Sequence, residues 1–153
     1  MADAATTNAY LRTRVLTASP EELRLLLLEG ALRFANQAKA GLESRDFEGA
    51  HAGFRQCRDI VLELLTTVKP EPDPELAERV RSLYTFMYSE LVTASLEKDV
   101  EKLGKVIELL EYERETWVML MDQLAKERGV SEPKPQAASP ADGGERAPLS
   151  IQA

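Results

Sequence analysis

Apolar residues recur at steps of three and four over most of this chain, and the recurrence breaks where polar residues, prolines or glycines intervene. Leu23, Leu27, Gly30, Ala31, Phe34 and Ala38 form one stripe at helical spacing; Leu25, Leu28, Leu32 and Ala35 form a second, rotated from the first. A surface helix needs one apolar stripe of about 100°, so this helix has to be covered on two sides. Ser19 with Glu22 three residues on is a capping box, and Pro20 falls at the first helical position, where its missing N–H has no bond to lose. The spacing predicts a helix from Pro20 to about Leu42, ended by Gly41 and the polar Glu43-Ser-Arg45.

Asp46 is suited to cap a second helix whose apolar residues are Phe47, Ala50, Phe54, Cys57, Val61, Leu64 and Val68, one clean stripe. Lys69-Pro-Glu-Pro-Asp-Pro74 cannot continue it and reads as a semi-rigid extended link. Asp73 caps a third helix that begins at Pro74. Its expected core face is Leu76, Val80, Leu83, Met87, Leu91 and Ala94, thickened by Tyr84, Phe86 and Tyr88. Asp99 caps a fourth, with Leu103, Val106, Ile107, Leu110, Trp117, Met121 and Leu124, ending before Gly129. No period-two alternation appears. Short connections between long helices predict antiparallel neighbours, and hence an all-α, antiparallel up-and-down four-helix bundle over residues 19–128.

Flanking segments complete the organisation. Residues 1–18 are polar and small except for Tyr10, Leu11, Val15 and Leu16, and are read as a flexible segment able to act as a lid. Residues 129–153 mix four prolines and two glycines past Gly129 with Ala, Ser and isolated charges, a composition expected to stay disordered.

Composition then excludes whole classes of partner. A net charge of −7 and a pI near 4.9 argue against nucleic acid or an anionic membrane surface. The longest aliphatic run, Leu25–Leu28, is far short of a span of about 20 residues, so no membrane insertion is expected. The single cysteine, Cys57, forms no internal disulfide, and the N-terminus lacks the basic and apolar regions of a secretory signal. A cytoplasmic location follows as the expectation.

Candidate chemistry changes little. Glu48-Ala-Gly-His51 resembles half of a di-iron bundle motif, but with one histidine in the chain the second half does not exist. A phosphotransfer histidine would want a lysine or glycine close behind it; Gly53 follows by two positions, but no lysine follows before Lys69, and His51 is read as a surface or partly covered residue. Cys57 lies on the core stripe and is read as an inert buried thiol. Glu111-Tyr-Glu113-Arg-Glu115 is a charge run of the kind that forms a solvated face, and Arg114, on the stripe of Leu110 and Trp117, is placed to cap a core carboxylate or stack on a ring. No phosphate loop, Cys-x-x-Cys pair or nucleophile elbow occurs. The chain is not expected to be an enzyme, and no cofactor or metal is expected.

A surplus of apolar surface points to binding instead. The second stripe of the first long helix has no obvious cover other than the Tyr10–Leu16 segment, and a short segment over a long apolar groove is a replaceable lid. Such a groove can receive an amphipathic helix through anchors at i, i+3, i+4 and i+7. The candidate partner-binding residues are Tyr10, Val15, Leu16, Leu25, Leu28 and Leu32.

Asn8-Ala-Tyr10, Val15-Leu-Thr17-Ala-Ser19-Pro20-Glu-Glu-Leu23 and Leu27-Leu-Glu-Gly30-Ala-Leu-Arg-Phe34 closely resemble the flagellar export chaperone family FliS. The likeness continues in order through Asp59-Ile-Val-Leu-Glu-Leu-Leu65, Leu83-Tyr84-Thr-Phe86-Met87 and Arg114-Glu-Thr-Trp117, and covers about residues 8–121. Two positions depart from it: Leu28 stands where the family commonly has Tyr, and Ser95 where it commonly has Asn. The resemblance implies a cytoplasmic chaperone that binds the disordered C-terminal region of flagellin, prevents premature polymerisation and delivers it to the type III export apparatus. It implies that the cargo turns helical as it wraps the bundle while the N-terminal segment yields the groove, with Tyr10 also contributing to docking at the export gate. No nucleotide is implied, and the free protein is expected to be a monomer or weak homodimer. A non-chaperone adaptor for another flagellar protein, and a bundle that self-associates through its first helix, are the alternatives.

Overall fold

Five α-helices account for all regular structure in the computed structural model, which describes residues 2–129, with side chains from Thr6 onward: α1 (Ala2–Thr17), α2 (Pro20–Ser44), α3 (Phe47–Thr66), α4 (Pro74–Glu97) and α5 (Val100–Gly129). The all-α class is as expected. The count is five rather than four, because the N-terminal segment is itself helical. The tail read as disordered lies, past Gly129, outside the described residues.

The reason α1 forms is local. Four alanines, two leucines and two arginines favour it and no Gly or Pro interrupts it, while the Thr13 and Thr17 hydroxyls are accommodated by donating to the carbonyls of Ala9 and Thr13 at 3.0 and 2.8 Å. Pro20 turns Ser19 away from helical geometry, so α1 ends where the cap of α2 begins. From Thr6 to Thr17 all its side chains but the half-buried Leu11 are exposed, Tyr10 at 61% and Leu16 at 76%. Deleting residues 2–17 is therefore expected to move the melting temperature of the remaining bundle by no more than about 2 °C, read by circular dichroism.

The caps read from sequence are all in place. Ser19 and Glu22 exchange both bonds of the capping box, at 3.1 and 3.0 Å. The Asp46 carboxylate accepts from Gly49 N–H, that of Asp73 from Leu76 N–H, and that of Asp99 from the N–H groups of Glu101 and Lys102. At the other ends of α2 and α4, Arg45 and Lys98 take left-handed backbone conformations, φ 63° and 53°.

Two units divide the chain, Met1–Thr116 and a second beginning at Trp117. In the first, α2, α3, α4 and the first half of α5 share a core of Leu28, Ala31, Leu32, Ala35, Phe54, Cys57, Val61, Leu64, Tyr84, Met87, Leu91, Leu103, Val106 and Leu110, all buried. α4 differs from its expected face. Ala77 and Tyr84 are buried, Val80 and Leu83 are half-buried, and Leu76 is 55% exposed. In the second unit Trp117, Met121 and Leu124 are half-buried, while Val118, Met119 and Leu120 are exposed.

α2 and α3 approach backbone to backbone. A Cβ on Gly53 would stand 2.7 Å from both Ala38 N and Phe34 O, and one on Gly41 would stand 2.7 Å from Ala50 N. The pairings Gly53 with Ala38 and Gly41 with Ala50 also fix the two helices as antiparallel. Between them Cys57 is sealed, and burial pushes its thiol up to about 12, with Arg58 opposing only weakly. A disulfide reagent at pH 8 is expected to leave Cys57 unmodified in the native protein and to titrate one thiol in denaturant.

Candidate partner-binding site

Electrostatics inside the bundle centre on Arg24, which sits on the buried arc of α2 in line with Leu28, Ala31 and Ala35. Its guanidinium donates to Tyr84 Oη at 2.6 Å and to Thr67 Oγ1 at 3.1 Å, and lies 5.4 Å from the centroid of the Tyr84 ring. Tyr84 in turn donates to Glu113 Oε1 at 2.9 Å. One chain of hydrogen bonds thus joins α2, the end of α3, α4 and α5. Burial of the Tyr84 hydroxyl drives its pKa upward, against the pull of Arg24 and with the push of Glu113.

The sequence reading missed this network. Glu113 is half-buried rather than part of a solvated face, and its carboxylate accepts from Tyr84, which in turn accepts from Arg24. Arg114 is half-buried, and its Nε has no hydrogen-bond partner among the described residues. The signal for Arg24 was its place at i relative to Leu28, Ala31 and Ala35 at i+4, i+7 and i+11.

The six candidate binding residues divide into three groups. Leu28 and Leu32 are core, at 0% and 8% exposure, and Ala35 beside them is fully buried. The second stripe is covered by the bundle itself, because a helix with neighbours on two sides buries an arc of roughly 200°, not 100°. Leu25 is half-buried. Tyr10, Val15 and Leu16 are exposed on α1, on more than one face of it. Leu11, Val15 and Leu16 line a concavity with Asn8 and Arg12, whereas Tyr10 carries the Arg14 guanidinium 5.9 Å from its ring centroid. On α1 Leu11 is half-buried, while Tyr10, Val15 and Leu16 are exposed.

A second apolar surface follows the seam between α4 and α5. The Lys102–Glu97 ion pair at 3.6 Å and the Tyr84–Glu113 bond fix the antiparallel register of the two helices. By that register Phe86 and Tyr112 come level on the outer shoulders of the seam, 51% and 67% exposed. Leu83 and Leu109, both half-buried, lie about one turn away on either side. Tyr112 was hidden to sequence reading by the glutamates around it. Exposed aromatic side chains on two neighbouring helices, with glutamates around Tyr112, suit an amphipathic helix with basic flanks.

The family model for the flagellar protein FliS matches residues 1–124, which takes in every helix of the first unit. The chain belongs to the FliS family. The flagellar secretion chaperone FliS of Bacillus subtilis (strain 168) is 30% identical over 120 residues, 78% of this chain and 89% of that protein. The chaperone of the same name from Campylobacter jejuni is 31% identical over 110 residues, 72% of this chain and 86% of its own. That of Vibrio cholerae is 24% identical over 105 residues, covering 69% and 77%. Against the FliS pattern, the Leu28 departure falls in the core and the Ser95 departure at a half-buried position on α4. No described helix is long and apolar enough to cross a membrane.

Proposed function

We propose that this chain is a cytoplasmic flagellar export chaperone that binds the C-terminal region of flagellin, keeps it from polymerising early and delivers it to the type III export apparatus. The observation that carries the reading is large apolar surface left open on a bundle whose core is otherwise closed: Phe86 and Tyr112 on the α4–α5 seam, and Tyr10, Val15 and Leu16 on α1. The family's flagellar secretion chaperones supply the class of partner.

The energetics are adequate. Ordering a disordered cargo segment costs about 2–5 kcal/mol or more, and each large apolar side chain fully buried contributes about 1.5–3 kcal/mol. Three or four anchors along one cargo helix therefore offset the ordering and leave affinity over. Leu28 and Leu32 take no direct part, since exposing them would open the core. Tyr10, outward on α1 beside Arg14, is the residue of this set that a second partner, the export gate, could reach at the same time.

The test is calorimetric titration of the full chain with a peptide from the C-terminal region of flagellin from the same organism. Saturable 1:1 binding is expected, with a negative heat-capacity change and a gain in helical circular dichroism. Phe86→Ser with Tyr112→Ser should weaken it at least about thirtyfold while the free fold is kept. No binding at tens of micromolar peptide by the folded monomer would remove flagellin as the cargo.

A further inference from the structure

At the end of the bundle where α2 and α4 finish beside the start of α3 there is a cavity of about 130 Å³. Its floor is Leu42 and Phe54, its wall Phe47, and its rim His51, Ser95 and Lys98. An apolar floor with a few convergent polar groups is the usual make-up of a small-molecule site. A cavity of roughly 150 Å³ is enough for benzene, so this one takes an aliphatic group of four or five carbons.

The rim sets the charge of the guest. Lys98 Nζ lies 5.2 Å and Arg45 Cζ 5.5 Å from the centroid of the same Phe47 ring. Neither cation has an ion pair among the described residues, in a chain of net charge −7. The acids adjacent in sequence are already engaged: Asp46 and Asp99 cap α3 and α5, and Glu97 holds Lys102; Glu43 and Glu48, the next acids along from Arg45, do not line the cavity. His51 and Ser95 likewise have no side-chain hydrogen bond to any described residue. Both cations also stand on left-handed backbone, where glycine is the relaxed choice and a long side chain is strained. Two strained positions each place a cation over the Phe47 ring, Lys98 lining the cavity and Arg45 outside its lining, a constellation that helix capping alone does not require.

We propose that this end of the bundle is a binding site for a small aliphatic carboxylate, its chain on Leu42 and Phe54 and its carboxylate accepting from Lys98, Ser95 and His51. The same chemistry is offered by a free branched acid and by the carboxy terminus of a polypeptide ending in an aliphatic residue. The site is separate from the α4–α5 seam and does not depend on flagellin being the cargo.

The experiment is a nuclear magnetic resonance titration of the full chain at pH 7 with 3-methylbutanoate, N-acetyl-leucine and N-acetyl-leucinamide. Millimolar, saturable shifts at the amides of Phe47, His51 and Ser95 are expected for the acids and not for the amide, as suits ligands so small. Tighter binding of N-acetyl-leucine assigns the site to a chain terminus, and tighter binding of 3-methylbutanoate to a free acid. Arg45→Gly with Lys98→Gly should hold or raise the melting temperature, because glycine relaxes both caps. It should weaken the acids by about fivefold or more through the loss of two cations. Shifts equal for acid and amide, no shifts at tens of millimolar, or unchanged affinity in the double variant would each overturn the proposal.

Discussion

Replacing Gly53 with alanine is expected to lower the urea midpoint of unfolding by about 1 M. The added Cβ would stand 2.7 Å from two backbone atoms of α2, and no rotamer of a neighbour can relieve contact with backbone. α2 and α3 must separate, at a cost of about 3 kcal/mol, the upper part of the range for overpacking. Alanine's better helix propensity returns about 1 kcal/mol, leaving a loss of about 2 kcal/mol. Gly41→Ala should behave alike, and the double variant should lose less than the two together, because one displacement relieves both clashes. Gly104→Ala is the control of opposite sign. Its Cβ meets nothing within 4 Å, so it should stabilise by up to about 1 kcal/mol. Equal effects at Gly53 and Gly104 would show that the close approach of α2 and α3 carries no weight.

Tyr84→Phe is expected to destabilise the bundle by about 2 kcal/mol at pH 7, although it removes a single oxygen. That oxygen accepts from Arg24 and donates to Glu113, so its loss leaves two part-buried charged groups facing a gap. The variant should also change the response to alkali. Tyr84 ionises well above the ordinary tyrosine value of 10 in the folded state and at that ordinary value when unfolded. Above pH 10 the unfolded chain therefore releases a proton that the folded one keeps, and stability falls by about 1.4 kcal/mol per pH unit until the folded pKa is reached. The phenylalanine variant lacks this contribution. The wild-type advantage should thus shrink between pH 10 and 11, with Cys57, common to both proteins, cancelling from the comparison. A constant difference across that range would mean that the hydroxyl is not buried in the network.

How far the sequence reached depended on whether a feature was local. The Ser19–Glu22 capping box, the aspartate caps and the Lys69–Pro74 break are decided within a few residues, and each stands where the pattern placed it. The α4 face slipped because Leu76 and Ala77 are neighbours, and only packing decides that the smaller one turns inward. α1 escaped notice for the opposite reason: its largely exposed side chains give it no period to read. The surplus stripe on α2 misled because surplus was counted against one neighbour, whereas Leu28, Leu32 and Ala35 are covered by the rest of the bundle. Phe86 and Tyr112 could not be paired before the register of α4 and α5 was known, and Arg24 drew no reading because its partners Tyr84 and Thr67 lie on other elements.

The glycine contacts of α2 and α3 bear on how the bundle can move. Helices held by interdigitated side chains can slide or spread by changing rotamers, but two backbones in contact have no such slack. The α2–α3 pair is therefore the stationary half of the molecule, a hairpin that moves as one body. α4 and the first half of α5 are held instead by side-chain packing, through Met87, Leu91, Leu103, Val106 and Leu110, and by the Tyr84–Glu113 bond, contacts that rotamer changes can adjust. The slack in the first unit therefore lies on the side of α4 and α5, and the α2–α3 hairpin is its rigid part.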